Sequence, residues 1–246
     1  MKKLVLALTF AQFLNACGVQ EYRDDSNLEP SAAFSWKGLL ISGDSSISAF
    51  DNGRKDVGDS FLFRGLDKEN FRNLSVSRAE QQNGTLATSV ANMDRAFQQL
   101  NIGNSDACAV FMTSHGSRRA FIIQGESDLS PSDLDALLDK HCGNRPTVLL
   151  ISACYSGIFI NDQMRSANRI ILTAARNDRT SFGCSAENEY TYWDGCLIRS
   201  LRTNFTWKSL YENVSQCISA KESSGGFTPS EPQAHFGSNV ENYRIF

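Results

Sequence analysis

The stretch TVLLISACYSG, Thr147 to Gly157, decides how this chain is read. A run of buried-type residues ends on a cysteine and then turns sharply through Ser156 and Gly157. Such a run, bounded by a turn, is the pattern of a strand covered on both faces. Cys154 is then either a small apolar residue closing a core strand or a thiol placed for chemistry. Free cysteine is among the most buried residue types, so its surroundings must decide.

Working outward, ACAVFMTSH is a second such strand, ending on His115, and KGLLISGD, FRNLSVS and RIILTAAR read the same way. Helical patterns lie between them. From Thr85, the residues Leu86, Val90, Met93, Phe97 and Leu100 recur at helical spacing on one face. SPSDLDALLDKH opens with Ser130 as cap, Pro131 in the first turn and Asp133 three residues after the cap. RKDVGDSFLFRGL, YTYWDGCLIRSL and WKSLYENVSQCISAK read as further helices, the last packing Trp207, Leu210, Tyr211, Val214 and Ile218. RAEQQNGT reads as loop, RAFIIQGES as a hairpin or edge excursion, and AHFGSNVENYRIF as a closing segment without a strand assigned. Apolar strands alternating with helices predict an α/β domain, a three-layer sandwich with a mostly parallel sheet flanked by helices.

The chain has 246 residues, 41% hydrophobic and 21% charged, with a formal net charge of −3. That is one globular domain's worth of sequence. No basic stripe points to a nucleic-acid partner. No apolar run reaches the length of a membrane span.

The N-terminus, MKKLVLALTFAQFLNACGVQ, has Lys2 and Lys3, an apolar stretch from Leu4 to Leu14, and then small residues. This is the layout of an export signal. Leu14 to Cys17 also resembles a bacterial lipoprotein box, in which the cysteine takes the lipid. The expectation is a signal peptide over 1–16, a polar tether over 17–35 and a domain over 36–246, exported to the periplasm or cell envelope and held at a membrane through Cys17. Seven cysteines suit such a compartment. With Cys17 lipidated, six remain, and a free catalytic thiol leaves at least one more unpaired. No C-x-x-C pair exists, and no metal or organic cofactor is called for.

In open parallel sheets, reactive groups gather at the carboxyl ends of strands. His115 and Cys154 both stand there if their strands are neighbours. An imidazole can take the thiol proton, the thiolate can attack a carbonyl, and the imidazolium can then protonate the leaving group. Gly116 lacks a side chain, so its N–H, with that of Cys154, can approach a developing oxyanion. Ser156 lacks the first glycine of a serine-hydrolase elbow. His141 reads as a solvated residue at a helix C-terminus, His235 has no partner by spacing, and Asp44 and Asp178 read as turn residues.

TSHGS followed by ISACYSG resembles the legumain-type cysteine peptidases of the caspase-like clan, which place His-Gly after one strand and Ala-Cys-x-Ser-Gly after the next. ILTAARNDRTSFGCSAENEYTYW resembles that family's next strand and specificity loop, and ISGDSSISAFDNGRKDV the first strand and loop of its bacterial members. The resemblance implies a caspase-like fold and a cysteine endopeptidase acting on protein or peptide substrates. It implies His115 and Cys154 as the catalytic pair, Gly116 as the oxyanion glycine, and Asn52, Ser152 and Ser181 as pocket residues. Legumains usually carry glutamate at the positions of Ser152 and Tyr155, which this chain does not. A transpeptidase or ligase using the same dyad, or a non-catalytic envelope binding module, are the alternative expectations.

Overall fold

The computed structural model describes residues 34–246. The expectations for the signal peptide, for Cys17 and for most of the tether lie outside the described residues. Seven strands form one sheet: β1 Ser35–Ser42, β2 Phe71–Ser75, β3 Leu86–Ala87, β4 Asp106–Thr113, β5 Thr147–Ser152, β6 Arg169–Thr173 and β7 Gln233–Phe236. Their spatial order is β3-β2-β1-β4-β5-β6-β7, parallel throughout except for antiparallel β7. From β1 the chain winds outward to β3, then returns past it to β4 and winds the other way. The order reverses between β1 and β4, and crevices for ligands form at the carboxyl ends of such neighbours.

The helices are α1 Ser48–Phe63, α2 Arg78–Gln82, α3 Val90–Leu100, α4 Pro131–His141, α5 Tyr192–Thr203 and α6 Trp207–Gly225. Successive strand residues point to opposite faces, so β1 supplies Trp36 and Leu40 to one core and Leu39 and Ile41 to the other. The first core holds Val57 and Phe61 of α1, Leu197 and Leu201 of α5, and Trp207 and Leu210 of α6. The second holds Met93 and Phe97 of α3 and Leu134 and Leu138 of α4. This is the expected α/β sandwich. Ser130 caps α4 in a reciprocal box with Asp133, as its sequence predicts.

Four local readings change. RAEQQNGT contains the short helix α2. Leu86 belongs to the two-residue edge strand β3, and Ser89 starts α3 by accepting from the Asn92 N–H. The cap therefore overrides a periodicity that continued upstream of it. AHFGSNVENYRIF begins inside β7, which pairs Phe236 with Ile170. His141 is not solvated: its Nε2 meets Asp94 at 2.7 Å and its ring stacks on Phe97, joining α4 to α3.

Two disulfides fasten the layers. Cys108–Cys142 ties β4 to the end of α4, and Cys196–Cys217 ties α5 to α6. The first closes a loop of 34 residues, for which the chain-entropy relation gives about 3–4 kcal/mol. Replacing Cys108 and Cys142 together by alanine should lower the free energy of urea unfolding by about that amount. A loss under 1 kcal/mol would mean that the bond adds little to the fold.

Candidate active site

Parallel pairing places Thr113 opposite Ser152, the last residues of β4 and β5. Two residues beyond each stand His115 and Cys154, both half-buried at the same sheet edge. His115 meets the ring of Phe50, from α1, edge to face at 5.1 Å. Its carbonyl accepts from the Ile122 N–H, where the expected excursion folds back and pairs Gly116 with Phe121. That bridge uses the hydrogen bonds of flanking residues, Ser117 N–H to Ala120 and Ile122 N–H to His115. In such a pair the N–H of Gly116 itself is not spent.

Gly116 also lies directly on the turn that carries the thiol. A Cβ built on it would stand 2.0 Å from the Cys154 carbonyl oxygen. After Cys154 the chain turns through Tyr155 at φ +58, a left-handed conformation that costs a non-glycine residue about 1–2 kcal/mol. The turn is fixed from the β6 side: Tyr155 N–H donates to Arg179, Gly157 N–H to Ala175, and Ser156 Oγ accepts from Ala175 N–H. Ser156 is thus buried and occupied as a structural hydroxyl. A Cβ on Gly157 would lie 2.5 Å from the Asn177 nitrogen. The Ser-Gly that follows the cysteine is therefore a packing requirement of the turn.

Ser181 is closer to the thiol than a remote pocket wall. Its N–H donates to Cys154 Sγ at 3.3 Å, and its carbonyl and Oγ lie 3.6 and 3.7 Å away. Beside it opens a hollow of about 430 Å³, lined by Cys184, Glu187, Asn188, Tyr192 and Phe227 among others. Asn52, on α1, donates to the Glu189 carbonyl at 3.0 Å, and Tyr190 donates to Asp56, so α1 holds the loop before α5. Ser152 is buried, its hydroxyl 3.3 Å from that of Thr191. Among the described residues, no group of three or more His, Cys, Asp or Glu side chains is arranged to hold a metal ion. His235 lies on β7 against the Ser166 carbonyl, Asp44 caps its own turn through Ser46, and Asp178 pairs with Arg176. A separate hollow of about 250 Å³ between α1 and β2 contains none of the predicted groups.

Two residues at the site escaped the sequence reading. Cys184 is, with Cys154, one of two free thiols among the described residues. Burial above all, then the charges of Cys154, Asp194 and Asp44, push it up to about 12, so it stays protonated at neutral pH. Asp194 is wholly buried in the first turn of α5, beneath the ends of β4 and β5. Its Oδ2 accepts from Thr113 Oγ1 at 2.8 Å, and its own N–H is capped by Thr191. Its Oδ1 has no hydrogen-bond partner. Burial raises it to about 6, against the lowering effect of the surrounding hydroxyls of Ser152, Thr113 and Thr191. The Thr191-to-Asp194 spacing is legible as a helix cap, but nothing in the sequence says that the carboxyl is buried.

The Peptidase C13 family model matches residues 71–241, most of the chain. The chain therefore belongs to the Peptidase C13 family, the legumain family of cysteine peptidases. Its fold is similar to that of caspase-1 from Spodoptera frugiperda, with a TM-score of 0.59 at 12% identity, covering 83% of this chain and 87% of that one. The fold is caspase-like, and family membership supports a cysteine peptidase-type function with protein or peptide substrates. No curated protein sequence matches this chain.

Two outcomes follow from the geometry. Gly116→Ala should displace the Cys154 turn and reduce the rate of Cys154 alkylation, because the contact is with backbone that cannot swing aside. An unchanged alkylation rate in the folded variant would contradict the close approach. For Asp194 the native acid binds its proton more tightly than the unfolded one, whose value is 3.8. Stability should therefore fall as pH rises from about 4 to 6, by an amount of order 2–3 kcal/mol. Asp194→Asn should flatten that slope in denaturation measured across this range.

Proposed function

We propose that this protein is an endopeptidase in which Cys154 is the nucleophile and His115 the general base. The observation that carries the reading is the placement of a His-Gly and a Cys-x-Ser-Gly turn on adjacent strand ends of a C13-family chain, with Gly116 pressed against the Cys154 carbonyl. His115 takes the thiol proton as Sγ attacks the substrate carbonyl. The tetrahedral oxyanion accepts from the N–H groups of Gly116 and Cys154, donors worth about 10²–10³ in rate each. Collapse expels the amine, protonated by the imidazolium, and leaves a thioester on Cys154. His115 then deprotonates water, which attacks the thioester and releases the acid. Nothing in this sequence of steps draws on a metal or an organic cofactor.

Asn52, Ser152 and Ser181 are the proposed substrate-side residues. Ser181 is supported best, since it borders both the thiol and the adjoining hollow. All three side chains are neutral, so a small or polar residue before the cut is favoured. The protein is proposed to act in the periplasm or cell envelope, tethered through a lipid on Cys17; the charged start, the apolar run and the Leu14–Cys17 box support this.

Cys154→Ala should keep its melting temperature and lose peptide hydrolysis by at least about a thousandfold. His115→Ala should lose hydrolysis and also slow alkylation of Cys154 near neutral pH. A folded Cys154→Ala protein that still cuts peptides at the wild-type rate would sink the proposal. Ser181→Ala should weaken discrimination among peptides more than it slows alkylation by a small reagent; equal losses would make Ser181 a support for the thiol alone.

A further inference from the structure

The sheet edge opposite the thiol carries an exposed aromatic patch. Leu62 and Phe63 end α1, and Phe205 occupies the turn between α5 and α6; they are 42%, 67% and 69% exposed. Arg64 and Arg202 knit them together. The Arg202 guanidinium lies 5.9 Å over the Phe63 ring and that of Arg64 5.8 Å over Phe205, while Arg64 also donates to the Leu201 and Asn204 carbonyls. Phe205 has no core to retreat into. Its carbonyl is held by the Ile245 N–H, and Trp207 and Phe246 already pack edge to face at 5.2 Å behind it.

The topology sets where this patch faces. α1 and α5 run antiparallel to the parallel strands, so both end at the edge where β1 begins at Ser35. The chain from residues 1–33 enters the fold there, beside Phe34, whose ring stacks on Tyr243 at 6.2 Å. Cys154 and His115 occupy the other edge. Residues 18–34, even fully extended, reach no more than about 60 Å. An N-terminal segment held at a membrane would thus join the domain on the patch side.

Aromatic rings beside guanidinium groups match the interfacial layer of a bilayer, where rings sit at headgroup level and cations meet phosphates. Exposed apolar residues gathered together, unlike single exposed rings, mark interaction or membrane sites. Asp67, Glu69 and Glu241 offset the cations at this edge, so ring insertion and not net charge carries the attraction. We propose that this edge is a membrane-docking face, with Phe63 and Phe205 inserting into the headgroup layer of a bilayer and the Cys154 edge held away from it. The proposal rests on the patch, on the topology and on an N-terminal segment held at a membrane by whatever means; it does not rest on the peptidase reading.

The test is amide hydrogen exchange on the full chain, with and without vesicles of phosphatidylcholine and phosphatidylglycerol, for wild type and for Phe63→Ser/Phe205→Ser. The substituted side chains are exposed, so the variant should melt like wild type. On vesicles, wild-type exchange at 62–66 and 203–206 should slow at least threefold, while 115–118 and 154–158 stay unchanged. The variant should lose this slowing even where its N-terminal segment still holds it to the vesicles. Unchanged exchange at both patch segments of vesicle-bound wild type would overturn the proposal. So would slowing without vesicles: dependence on protein concentration would assign the patch to a second copy, and loss on deleting residues 1–16 would assign it to the chain's own apolar segment.

Discussion

The site depends on the register of β4 against β5. Thr113 faces Ser152 across the parallel ladder, and the pairing runs one step further through the Ser114 N–H and the Ser152 carbonyl. Because side chains alternate with period two, a slip of one residue would turn His115 or Cys154 to the opposite face. The register is pinned from below by the buried carboxyl of Asp194, bonded to Thr113, and from above by Gly116 resting on the Cys154 carbonyl. Each pin tolerates little: one is a fully buried carboxyl, the other a backbone contact with no room for a methyl group.

Asp194 shows how the requirements of the edge and of the core conflict. The first turn of α5 offers N–H groups and a positive dipole end, which favour an ionised carboxyl. Complete burial disfavours it, and one oxygen is left without a donor. Burial is the larger effect and sets the direction of the shift, raising the carboxyl to about 6. Gly53 of α1 adds to the confinement, because a Cβ there would stand 2.7 Å from Oδ2. The same helix brings Phe50 against His115, so α1 braces the imidazole and packs against the acid beneath.

The sequence-readable part of this fold is the part that repeats. All five strand-like runs became strands paired on both sides, with FRNLSVS as β2. The longer helices were legible from their spacing and caps; the five-residue α2 was not. β7 was not, because its four residues are all half-buried and follow a proline-containing loop, leaving no alternation to read. Disulfide pairing was equally hidden: Cys108 finds Cys142 only because α4 packs antiparallel against the second face. At the site, the histidine and cysteine could be found because strand ends advertise them. The direct contact of Ser181 with the thiol could not, since it depends on how the loop after β6 folds back over the edge. Likewise His141 joins Asp94 through a packing of α4 on α3 that no local pattern encodes.

β1 lies third in the sheet and is the first described strand, paired along its eight residues with β4 and over five with β2. Any pull that arrives along the backbone from the N-terminal side therefore acts on a central strand, parallel to its axis. The hydrogen bonds to both neighbours are then loaded side by side in shear, and must yield together instead of opening one at a time like a zip. A load entering through Ser35 would therefore meet a strand held by a ladder on each side.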